Sequence, residues 1–136
     1  MTKFFKKIAK LLAIMITGLV IIVVALFIFL DFAFKDMCGN DVYQSVLSPN
    51  KKQKVIVFER DCGATTGFTT QISIIPENEQ LANESGNIFT ADGHPDDNPT
   101  KVSWINDNTI EIQENFAKSG RRKNTFKDIN IKYTKY

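Results

Sequence analysis

The sequence predicts an all-β domain behind one N-terminal transmembrane helix, and three observations predict it. Leu11 to Leu30, LLAIMITGLVIIVVALFIFL, carries no charge and only Thr17 and Gly18 fall outside the apolar set. After residue 31 the apolar residues recur every second position or in short β-branched runs bounded by turn residues, the patterns of half-buried and central strands. No stretch beyond that point keeps a helical period over a useful length. The expected architecture is an antiparallel meander of five or six strands, curled into a small sandwich or partial barrel.

The apolar run comes first. At about 1.5 Å rise per residue it makes a helix about 30 Å long, the hydrocarbon thickness of a bilayer, with its backbone polar groups satisfied internally. Lys3, Lys6, Lys7 and Lys10 precede it without an acidic residue, whereas Asp31, Lys35 and Asp36 follow. Positive flanks resist translocation, so residues 1–10 are expected in the cytoplasm and residues 31–136 beyond the inner membrane, in the periplasm. A cleaved export signal also begins with a basic flank and an apolar run. Its apolar region is about 7 to 15 residues and ends in a small-x-small site; here the run is longer and bulky residues flank Ala33. Lipid attachment at Cys38 is disfavoured, because Lys35-Asp36-Met37 precede it.

Composition excludes one class of partner. Removing the four flanking lysines from the 17 basic side chains leaves 13 against 15 acidic ones, so the net charge of +2 becomes −2 in the exported part. A basic surface for nucleic acid is absent there. Both cysteines, Cys38 and Cys62, lie in that part. In an oxidising compartment a disulfide is the simplest account, and closing a loop of about 24 residues stabilises by roughly 3 kcal/mol in the chain-entropy model. A reactive thiol or a metal pair is the alternative, but two sulfurs and one histidine make a poor zinc site.

Residues 31–40 read as a short stalk leaving the membrane through Phe32 and Phe34, and residues 41–136 as the domain. Clamping Cys38 to Cys62 would hold that domain near the bilayer. Ser48-Pro49-Asn50-Lys51 is a turn, since Pro fixes φ at its second position and Asn tolerates the third. Val42 to Leu47 before it and Lys54 to Arg60 after it are expected strands, the second apolar on both faces and central. Asp61 to Gly67 is a loop of small residues. Phe68, Thr70, Ile72 and Ile74 then alternate with Thr69, Gln71 and Ser73, a half-buried strand that Pro76 ends. Residues 77–100 read as a long polar excursion with only Ile88 and Phe89 buried. Val102 to Ile105 and Thr109 to Gln113, joined at Asn106-Asp107-Asn108, form a hairpin. After a basic connection from Lys118 to Asn124, Ile129, Ile131 and Tyr133 mark the last strand.

Cys38-Gly39-Asn40, the Ser48 to Lys51 turn, and the run Arg60-Asp61-Cys62-Gly63-Ala64-Thr65-Thr66-Gly67-Phe68 with Thr70-Gln71-Ile72-Ser73-Ile74 resemble a family of small, uncharacterised bacterial envelope proteins, some of them lipoproteins. The resemblance implies an exported domain with paired cysteines and carries no assigned activity. The turn is also similar to that of a β-propeller blade, with Lys51 where that turn has Gly; one blade cannot close a propeller, so only local hairpin geometry carries over.

Several residues invite a functional reading. In the Asp61 to Gly67 loop, Gly63 and Gly67 permit close backbone approach and Thr65 and Thr66 offer hydroxyls, with Arg60 and Asp61 beside them; a tight strand connection explains the same residues. His94, in Asp92-Gly93-His94-Pro95-Asp96-Asp97, does not match an EF-hand loop and has no visible nucleophile, so a solvated acidic loop is expected and no metal, cofactor or catalytic residue is assigned. Lys118, Arg121, Arg122, Lys123 and Lys127 would suit an anionic surface or stand solvated. The expected function is a non-catalytic binding module of the cell envelope. Its partners are the bilayer through residues 11–30 and another envelope protein. An immunity protein that neutralises a periplasm-acting toxin is the alternative, and an envelope enzyme a third.

Overall fold

Apolar residues on every side of Leu11 to Leu30 leave no polar face to hold a helix against a protein core, and the chain here forms α1, Thr2–Phe34, with its side chains exposed. The computed structural model describes residues 1–34, 37–63, 66–117 and 119–136, with the side chains of residues 2 and 34 excepted. The helix is long and apolar enough to cross a membrane. Its one hydroxyl in the apolar run is satisfied locally, since Thr17 Oγ1 donates to the Ala13 carbonyl at 2.8 Å. Met1–Met37 and Cys38–Tyr136 are separate units.

The second unit is all-β. Its strands are β1 Gly39–Leu47, β2 Gln53–Asp61, β3 Phe68–Pro76, β4 Phe89–Asp92, β5 Lys101–Asn106, β6 Thr109–Glu114, β7 Ser119–Arg122, β8 Thr125–Phe126 and β9 Ile129–Lys135. They form two sheets, ordered β1-β2-β3-β4-β7 and β5-β6-β9-β8. The turn and both long hairpins lie where the sequence places them. Lys51 N donates to the Ser48 carbonyl at 2.9 Å, and Ser48 Oγ bonds Asn50 Oδ1 and the Gln53 carbonyl inside the turn.

Four expectations are corrected. Among the described residues nine strands form where five or six were expected, because β4 and β7 arise in stretches read as connections and β8 between the basic connection and the last strand. The second sheet is no meander: the chain leaves β6, joins the first sheet as β7, and returns so that β9 runs parallel to β6. The supposed stalk is mostly structured, with residues 31–34 in α1 and residues 39–40 in β1; residues 35 and 36 lie outside the described residues. Finally, β3 is covered on both faces. Segment 82–87 lies over its polar face, where Gln71 Oε1 accepts from Gly86 N and Ser85 Oγ, and Asn87 bonds both Ser73 Oγ and the Ile74 backbone.

The core lies between the sheets. Val55, Val57, Ile72, Ile74, Ile88 and Phe89 meet Val102, Ile110, Ile112, Ile129 and Ile131. At one side, side chains stitch the edge strands together: Gln44 bonds both the N–H and the carbonyl of Val102, and Trp104 Nε1 donates to the Val46 carbonyl at 3.0 Å. Cys38 and Cys62 are disulfide-bonded. Since Gly39 pairs with Asp61 in register, the bond continues the β1-β2 ladder by one position and closes the open end of that hairpin.

Candidate functional site

Register explains which polar residue the core must accommodate. Val55, Val57 and Glu59 share the inward face of β2, so the alternation that builds the core also buries a carboxylate. Glu59 is 7% exposed. An isolated buried carboxylate costs several kcal/mol, so a partner is required. His94 supplies it: its Nε2 lies 2.6 Å from Glu59 Oε2.

The loop after β4 is built to place that ring. Gly93, at φ 118°, donates its N–H to the Phe68 carbonyl and its carbonyl accepts from Thr70 Oγ1 at 2.9 Å. That φ is one that side-chain-bearing residues rarely adopt, so the tight turn favours glycine. Asp97 N and Asn98 N both donate to the His94 carbonyl. Asp96 N lies 3.1 Å from His94 Nδ1, and Nε2 faces Glu59 and, at 3.3 Å, the Tyr43 hydroxyl.

Tyr43 reaches the ring through a β-bulge. Val42 pairs with Phe58 and Gln44 with Val57, so Tyr43 is the extra residue of β1 and its side chain is re-aimed. Tyr43 and Phe68 both meet the imidazole edge to face, with centroids 5.8 and 5.2 Å away. They are 45% and 48% exposed, and Val42 beside them is also exposed. Partial burial, then the Asp96, Glu59 and Asp41 carboxylates, push the Tyr43 hydroxyl pKa up. The result is an aromatic surface resting on a partly exposed His94 paired with the buried Glu59.

The residues singled out from the sequence are placed differently. Asp61 Oδ1 accepts from Gly63 N, and Thr66 bonds the Gly63 carbonyl through both its N–H and its hydroxyl, so this loop is closed on itself. Gly63 and Gly67 hold positive φ of 96° and 67°. Thr65 lies outside the described residues. Arg60 is on the opposite face of β2 from Asp61 and does not pair with it; its Nη1 donates to Asn40 and Asn83 Oδ1 at 2.6 and 2.9 Å, which ties β1 and β2 to the 77–88 segment. Partial burial lowers the Arg60 pKa and Glu84 opposes the shift. In the basic run, Arg121 Nη1 donates to the Gly86 carbonyl and Arg122 pairs with Glu114 at 2.6 Å. The ammonium groups of Lys123 and Lys127 stand over the Phe126 ring. Lys118 lies outside the described residues.

His94 is therefore not the solvated loop residue expected. The signal was present in β2, where a glutamate shares the parity of two core valines and the chain offers one histidine to meet it. Among the described residues no group of three or more His, Cys, Asp or Glu side chains is placed to hold a metal ion.

Helix, disulfide and aromatic surface together define a small stapled β domain carried behind an apolar N-terminal helix. The chain belongs to the Family of unknown function (DUF5412), which matches residues 6–128, from within α1 to the residue before β9. No curated protein and no solved structure matches the chain.

Proposed function

We propose that the chain is a single-pass, membrane-anchored binding module of the bacterial cell envelope. Its N-terminus is cytoplasmic, its helix stays in the inner membrane, and its β domain acts in the periplasm by holding another envelope protein rather than by catalysis. The lysine-rich flank supports the orientation. The disulfide supports an oxidising compartment. The family match that includes most of α1 supports a retained helix.

The observation that carries the binding reading is the surface of Tyr43 and Phe68. Partly exposed aromatic rings held rigid from beneath resemble the anchors of protein interfaces, which bury large area at low cost in side-chain entropy. The test is co-purification of full-length protein from membranes, comparing wild type with the Tyr43→Ala/Phe68→Ala double variant. A partner retained by wild type and lost by the variant is expected; equal retention would remove this surface from the account. A toxin as that partner would give the immunity reading. For orientation, a reporter active only outside the cytoplasm and fused after Tyr136 should be active, and activity of a cytoplasm-only reporter there would overturn the topology.

A further inference from the structure

The inward face of the second sheet does not end with its isoleucines. In register, Ile110 pairs with Ile131, Ile112 with Tyr133, and Glu114 with Lys135, so the alternation passes from core to ring to a buried carboxylate opposite an exposed lysine position. From the first sheet Arg122 stands opposite Phe89, a core residue. Where these strands meet, the sandwich opens into a pocket of about 390 Å³ whose lining includes Glu114, Asn115, Phe116, Arg122, Tyr133 and Lys135. Such a volume lies within the range of small-molecule sites.

Its lower part is aromatic. Phe89 stacks within 5.7 Å of Phe116 and 6.0 Å of Tyr133, and the Arg122 guanidinium lies 4.0 Å above the Tyr133 ring. Glu114 is 6% exposed and spent: Oε1 accepts from Arg122 Nη1 at 2.6 Å and Oε2 from Phe116 N at 2.8 Å. Arg122 has five donor N–H groups and one protein bond among the described residues; the Lys135 amine has none. Among the lining side chains two cations stand against one committed carboxylate.

We infer that this pocket binds a small organic anion, a carboxylate or phosphate monoester, through Arg122 and Lys135, with the apolar part of the ligand against Phe116 and Tyr133. A planar guanidinium held in place by Glu114 and the Tyr133 ring is pre-organised for such an acceptor. The site lies on β7, at the opposite edge of the first sheet from Tyr43 on β1, and it stands independently of the binding surface proposed above.

The test is calorimetric titration of phenyl phosphate into full-length protein in phosphatidylcholine nanodiscs, with inorganic phosphate as the probe lacking an apolar part. Saturable one-site binding, tighter for phenyl phosphate, is expected. Lys135→Gln should weaken it about tenfold, the loss of one charge-assisted contact. Glu114→Gln/Arg122→Gln, which leaves no buried unpaired charge, should abolish it. Absence of saturable binding, or affinity unchanged in both variants, would overturn the inference. Nanodiscs containing phosphatidylglycerol separate the sources: blocked titration points to a lipid headgroup phosphate, and unaltered titration to a free solute, either consistent with an anion site.

Discussion

Nε2 of His94 lies 2.6 Å from Oε2 of Glu59, and this contact joins a loop after the fourth strand to the inward face of the second. Removing the ring leaves a buried carboxylate without its partner. His94→Ala should cost about 2–3 kcal/mol, whereas on a Glu59→Gln background the same change should cost about 1 kcal/mol or less. Urea unfolding of the four proteins measures the coupling. Additive costs would mean that the contact carries no stability.

How much of this was legible follows from particular residues. Ile72, Ile74, Ile110, Ile112, Ile129 and Ile131 are buried on the faces that a period of two assigns them. The turn at Ser48 was legible from local chemistry, and the cysteine pair from two cysteines beyond an apolar helix. The strands β4, β7 and β8 were not, being four, four and two residues long and held by partners far along the chain. Ser119 to Arg122 shows no alternation at all; it is a strand because Phe89 and Ala91 pair with it. The site was half legible. Glu59 announces itself by parity, but Tyr43 reaches His94 through a bulge, and nothing in a period of two marks where an extra residue enters.

Gly86 is required by space rather than by conformation. A β-carbon there would stand 2.6 Å from the Phe89 carbonyl oxygen and 2.9 Å from that of Ile72, both backbone atoms that cannot swing aside. Gly86→Ala should therefore cost about 1–3 kcal/mol by displacing segment 82–87 from the third strand. Thermal unfolding checks it, and an unchanged midpoint would mean that this segment is not packed as described.

Lys51 holds φ 58°, a left-handed conformation that costs a side-chain-bearing residue about 1–2 kcal/mol. Glycine removes that strain but loses more chain entropy on folding. Lys51→Gly should thus stabilise by about 0.5–1 kcal/mol net, read as a higher unfolding midpoint. A lower midpoint would contradict the strained turn.

Tyr133 gives a pH signature. Burial first, then Glu114, push its hydroxyl pKa up to about 12, against the opposing charge of Arg122. The fold holds this proton more tightly than the unfolded chain, whose tyrosine titrates at about 10. The stabilisation is complete below pH of about 10 and is lost as pH rises toward 12. Tyr133→Phe should lack this component, so its urea midpoint should fall less steeply over that window. Parallel slopes for the two proteins would exclude it.

The central claim is that the domain works by contact through the aromatic surface over His94. A photo-crosslinking phenylalanine analogue placed at position 68 of the full-length protein, irradiated in intact cells, tests this most directly. Lys132, exposed on the ninth strand, is the control position. The expected result is a discrete covalent adduct with one envelope protein from position 68 and none from position 132. No adduct from position 68, or the same adducts from both, would contradict the account.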